Sequence, residues 1–137
     1  MIYEGTISYV GIDNRGNDKA IKENYVLQGK ETFSDAEECL YKDFEEYHLA
    51  DFDVIALKRS SIKEIANERT NDNDLLWIAE MQNTFTDDNG VEKVTKYKVL
   101  FYSQTFDSAK TFISDYVKQG YDLDLVSLKL TKFKDII

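Results

Sequence analysis

Apolar residues follow two rhythms along this chain, and each rhythm occurs twice. Over residues 3–10 and 25–27, and again over 77–85 and 97–102, they alternate or cluster in short bursts rich in aromatic and β-branched types, as in strands. Ala36, Cys39, Leu40, Phe44 and Tyr47, and again Ala109, Phe112, Ile113, Tyr116 and Val117, recur every three or four positions, the spacing of a helix with one buried stripe. The turn signals "DNRGND" (13–18) and "TDDNGVE" (86–92) each hold a glycine and predict hairpins between the strands. Ser34, with Glu37 completing a capping box, is expected to cap the first helix, and Asp107 the second.

The repeated rhythm has a repeated text. "TFSDAEECL" at 32–40 matches "TFDSAKTFI" at 105–113, and "ENYVLQGKETF" lies over "TKYKVLFYSQTF", with Val26-Leu27 on Val99-Leu100. "FDVIALKRSSIKEIA" lies over "LDLVSLKLTKFKDII", matching Asp53 to Asp124, Leu57 to Leu128, Lys58 to Lys129, Lys63 to Lys134 and Ile65 to Ile136. The expected fold is therefore α+β. It consists of internally duplicated β-β-α-β units at 1–66 and 75–137, mainly antiparallel sheet with two amphipathic helices. The halves are expected to share one compact pseudo-symmetric domain, joined by the polar linker "NERTNDND" (67–74), since one unit alone buries little surface. Phe33 and Phe106 are expected to anchor the helices, with Ala36, Cys39, Leu40, Ala109, Phe112 and Ile113 all buried. "SSIKEIA" and "TKFKDII" read as closing helical turns. The third strands, "FDVIALK" and "LDLVSLKL", carry apolar residues on both faces, so both faces are expected to be at least partly covered, one by the unit's helix and one by the sister repeat or a second subunit.

Composition narrows the function. With 42% hydrophobic and 31% charged residues and no long apolar run, the 137-residue chain reads as a globular protein without a membrane span or signal peptide. One cysteine makes no intrachain disulfide, so a reducing cytoplasm is expected. The net charge of −9 opposes broad duplex binding, and residues 34–53 hold eight acids against Lys42 alone. No P-loop, dinucleotide fingerprint or nucleophile elbow is present. His48, the only histidine, has no ligand partners at metal spacing, and Cys39 reads as a small core hydrophobe. Asp87-Asp88-Asn89-Gly90 sits between strands and reads as a turn rather than a calcium loop. No catalytic residue, metal, cofactor or small-molecule substrate is expected, and the chain reads as a non-enzyme.

Two charged sets are candidate binding residues. Lys58, Arg59 and Lys63 recur as Lys129, Lys132 and Lys134, and with aromatics such as Tyr3, Tyr9, Tyr25, Trp77, Phe85, Tyr97, Phe101 and Tyr102 they could form a stacking groove for single-stranded nucleic acid. Glu37, Glu38, Glu45 and Glu46 form an acidic face able to mimic phosphate before a basic cleft. Three readings follow. The first is a non-enzymatic module working through protein contacts, including self-association. The others are a single-strand binder of phage replication or repair, and an acidic inhibitor of a host nucleic-acid enzyme.

The ordered phrases "YVLQGKETFSDAEECL", "FDVIALKRSSIKEI", "LLWIAEMQNTF", "KVLFYSQTFDSAKTF" and "LDLVSLKLTKFKDII" resemble the family known as domain of unknown function 4494 over nearly the whole chain, with Tyr3 standing where that pattern has tryptophan. The resemblance implies a cytoplasmic setting in Bacteroides-type bacteria or their phages. It implies no established activity.

Overall fold

Each hairpin turn is built the same way. Asp13 Oδ1 accepts from the backbone N–H of Arg15 and Asn17 at 2.8 and 2.9 Å, and Asp87 Oδ1 from Asn89 and Val91, both at 2.9 Å. Gly16 and Gly90 follow at φ 80° and 78°, a conformation that disfavours a side chain. The aspartate at Asp87 is thus engaged in closing its own turn, as the hairpin reading requires. These turns join β1 (Tyr3–Ile12) to β2 (Asp18–Leu27) and β5 (Leu75–Thr86) to β6 (Glu92–Ser103). The remaining elements are α1 (Phe33–Glu46), β3 (Phe52–Arg59), β4 (Ile62–Ile65), α2 (Phe106–Lys118), β7 (Leu123–Leu130) and β8 (Phe133–Ile136). The computed structural model describes residues 1–46, 51–119 and 123–137, so Tyr47 and His48 lie outside the described residues.

The helix caps fall two residues before the expected ones. Thr105 is extended, and its hydroxyl accepts from Ser108 N–H at 3.1 Å while the Ser108 hydroxyl accepts from Thr105 N–H at 3.1 Å. Thr32 serves α1 likewise, accepting from Asp35 N–H at 3.1 Å. Ser34 and Asp107 are already inside the first turn, where their side chains no longer precede the free N–H groups.

Strand pairing corrects the alignment of the repeats. Tyr3 pairs with Leu27 and Trp77 with Phe101, so Val26-Leu27 corresponds to Leu100-Phe101 rather than Val99-Leu100. Counted between equivalent residues, the stretch from Phe101 to Phe106 is one residue shorter than that from Leu27 to Phe33. A one-residue slip exchanges the two faces of a strand, so pairing outranks string similarity here. Farther on the expected match holds, with Leu57 opposite Gly5 and Leu128 opposite Ala79.

The chain divides into two compact units, residues 1–60 with 133–137, and residues 61–132. The first holds the sheet β3-β1-β2-β8 with α1, the second the sheet β4-β6-β5-β7 with α2. "SSIKEIA" and "TKFKDII" are therefore not helical turns. They form β4 and β8, and each completes the sheet of the other repeat, β4 parallel to β6 and β8 parallel to β2. Their four residues gain a ladder of backbone hydrogen bonds that an isolated helical turn lacks. Residues 67–74, expected as a linker, are built into the second unit. Asn67 bonds both backbone groups of Tyr102 (3.0 and 2.7 Å), and Asp74 Oδ2 accepts from Thr70 and Asn71 N–H.

The first core sets Tyr3, Ile7, Tyr25 and Leu27 against Ala36, Leu40 and Phe44, and the second sets Trp77, Ala79, Met81, Val99 and Phe101 against Ala109 and Ile113. Cys39 and Phe112, expected to be buried with these, are half-buried at the helix flank. Phe33 and Phe106 are 50% and 53% exposed, and each meets one aromatic ring, Tyr3 at 6.4 Å and Trp77 at 6.0 Å between centroids. They sit at the first helical position, where the stripe has not yet turned toward the sheet. Gly5 has a specific reason: a Cβ there would stand 2.6 Å from Leu40 Cδ1.

Among the described residues of the single chain, β3 and β7 are not covered on both faces, which leaves a second subunit as the remaining expected cover. Both are edge strands, and Ile55, Leu125, Val126 and Leu130 are exposed at 48%, 40%, 48% and 51%. Burial on both faces belongs instead to inner strands, where Val26, Leu76 and Leu100 are buried on the side away from the helix.

Candidate functional site

The six basic candidates do not gather within either unit. Lys58 and Arg59 lie on β3 and Lys134 on β8, the opposite edges of one sheet. Lys63 on β4 and Lys129 on β7 likewise take opposite edges of the other, with Lys132 just beyond β7. Four strands at ~4.8 Å spacing separate such edges by roughly 14 Å. Two of the lysines are engaged: Lys134 Nζ is 2.9 Å from Glu23 Oε1, and Lys63 Nζ lies 5.5 Å above the Tyr97 ring. Most of the aromatic set faces inward, with Tyr3, Tyr25, Trp77, Phe101 and Tyr102 buried and Phe85 exposed. Glu37, Glu38 and Glu45 are exposed on α1, and Glu46 is its last residue.

The polar cluster that sequence reading missed centres on Glu23. This carboxylate is buried on the helix side of β2, in phase with Tyr25 and Leu27. Tyr9 and Tyr25 donate their hydroxyls to its two oxygens, and Lys134 donates to the first. Burial pushes the carboxyl up, but the bonds from Tyr25, Tyr9 and Lys134 outweigh it and hold the group below the usual carboxylate range. Tyr25 is pushed far up by burial and by Glu23, and Tyr9 is raised mainly by its hydrogen bond to Glu23. The register makes Tyr97 the counterpart of Glu23 and Lys63 that of Lys134, so both exchanged strands place a lysine over the same spot of the host sheet. There Tyr116 donates to Glu64, and both Tyr97 and Tyr116 are raised, chiefly by burial. These bonds fasten β8 and β4 to their hosts. The signal was visible in the sequence: Glu23 stands in the apolar phase of "IKENYVL", where a charge needs partners.

Among the described residues, no three His, Cys, Asp or Glu side chains cluster as metal ligands. Cys39 lines an open groove of about 500 Å³ beside α1 with Lys30, Glu38 and Lys42. A second groove, about 570 Å³, opens at the start of α2 beside Asn67, Thr70, Tyr102 and Ser108.

The two long edges are the candidate contact surface. β3 and β7 have eight residues each, and among the described residues each is paired along one side only. Both carry a bulge at one place: the register jumps from Ile7–Val54 to Thr6–Ala56, and from Met81–Leu125 to Glu80–Ser127. Ile55 and Val126 are the extra residues, turned out and exposed. On β7 the bulge sets Leu123, Leu125, Leu128 and Leu130 all toward α2, with Asp124, Ser127 and Lys129 on the other face.

No curated protein and no solved structure matches this chain. A family does, and over its full length: residues 1–137 match the family described as a domain of unknown function (DUF4494), and the chain belongs to it.

Proposed function

We propose that this protein is a non-enzymatic binding module that acts through protein contacts, self-association among them, in the cytoplasm of a bacterium or its phage. The observation that carries the reading is the pair of eight-residue edge strands with exposed Ile55, Leu125, Val126 and Leu130. Such edges offer unpaired backbone groups and apolar side chains to another chain. The setting draws on the family resemblance and on the unpaired Cys39. Sedimentation velocity from about 1 to 200 µM tests the self-association, dimers that grow with concentration being expected at Kd values common to modest interfaces. A monomer across that range would remove it.

Single-stranded nucleic acid is the weaker reading, because the lysines of each unit stand at opposite sheet edges and most rings are packed inside. Fluorescence anisotropy with a labelled oligonucleotide at low salt decides it. Binding that Lys58→Glu or Lys129→Glu weakens would favour it over the protein-contact reading.

A further inference from the structure

We propose that β7 is the self-association surface, pairing antiparallel with β7 of a second copy of this chain about a two-fold axis between Val126 and Ser127. This inference rests on the self-association reading above and gives it a place.

The strand is nearly its own complement. Laid antiparallel on itself, "LDLVSLKL" sets Asp124 opposite Lys129 twice, Leu123 opposite Leu130 twice, and Leu125 opposite Leu128 twice. Residues directly opposite in an antiparallel pair share a face of the joint sheet. In a regular strand, Asp124 and Lys129, five positions apart, would point to opposite faces. The bulge at Val126 removes that conflict, because both stand on the face away from α2. Leu123, Leu125, Leu128 and Leu130 of each copy then form one continuous leucine row on the α2 side. Leu125, Val126 and Leu130, exposed in the single chain, lose solvent together. Asp124 and Lys129 are exposed and hold no ion pair within the chain among the described residues, so both are open to a partner.

The bulge also selects the occupant. Against a regular strand the extra residue throws the ladder out of register and discourages indiscriminate pairing. Against a second β7 each strand carries one extra residue, so the counts balance, with Val126 of each copy opposite Ser127 of the other. The same feature thus rejects most edges and accepts its own, which specificity between alternatives requires. β3 has a bulge and an Asp53–Lys58 pattern of the same kind, but Ile55 is its one exposed large apolar residue, against three on β7.

Opposed charge changes test the pairing. Lys129→Asp leaves acids at both positions, and Asp124→Lys leaves lysines at both. Each alters only exposed side chains, and thermal melts of both variants should stay close to that of the parent. Each variant alone should sediment as a monomer, with self-affinity reduced at least about tenfold by lost pairs and like-charge contacts. Mixed one to one, the two variants restore both Asp–Lys contacts and should form a heterodimer. A parent chain that associates while both variants associate equally well overturns the β7 surface and leaves the self-association reading standing. Variants that are monomeric alone and remain so when mixed also overturn it, pointing to a β7–β3 contact that mixing cannot repair. A parent chain that is monomeric throughout overturns the reading and the surface together.

Discussion

At the scale of single residues, burial separates side chains the sequence made look alike. Leu40 and Ile113 are fully buried beneath their helices, so replacing either with Ala should cost roughly 2–5 kcal/mol in chemical denaturation. Phe33 and Phe106, equally apolar on paper, keep half their surface in water, and Ala there should cost about 0.5–1.5 kcal/mol, the worth of one aromatic contact. Glu23 gives a pH signature. Its carboxyl is held below the ordinary value, so its contribution is complete above about pH 4.3 and is lost as pH falls through the folded value. The tyrosines act oppositely. Tyr9, Tyr25, Tyr97 and Tyr116 are raised in the fold, so stability should fall above about pH 10, where the unfolded chain ionises first. Denaturation curves from pH 3 to 11 should show both limbs. Glu23→Gln should lower stability at pH 7 by roughly 1–3 kcal/mol and flatten the acid limb. An unchanged acid limb would mean that other carboxylates govern it.

At the scale of elements, the hairpins and helices were legible because each carries its own signal, glycine turns and one apolar stripe, whereas the caps, Thr32 and Thr105, were misplaced by two residues. β4 and β8 were not, for a physical reason. "IKEI" and "FKDI" place apolar residues three apart, which fits a helical turn and a bulged strand equally, and nothing nearby in sequence decides between them. Their hosts do, and β2 precedes β8 by more than a hundred residues. The edge character of β3 and β7 was hidden likewise, since apolar residues on both sides of a strand suggest double coverage until a bulge explains the extra one. The spacing of α1 over its sheet yields a further expectation. A Cβ at Gly5 meets Leu40 Cδ1 at 2.6 Å, so Gly5→Ala should destabilise by about 1–3 kcal/mol. Adding Leu40→Val should recover part of that loss, whereas independent, additive losses would show that the two residues are uncoupled.

At the scale of the whole molecule, duplication was readable and exchange was not. The text of each repeat ends with a strand that belongs to the other repeat's sheet, so sequence repeats and compact units have different boundaries. A chain ending at residue 132 should therefore lose amide protection along β2 in hydrogen exchange while β5 and β6 keep theirs; equal loss in both sheets would refute this division. The exchange also sets a timetable. The unit of residues 61–132 is continuous and can close as soon as it has been made, whereas the unit begun by residues 1–60 must wait for residues 133–137. At roughly 5–20 residues per second, β2 waits several seconds on the ribosome with one flank open. Slow translation of the codons for residues 133–137 would lengthen that wait, so abundance in the cell should depend on how fast those codons are read.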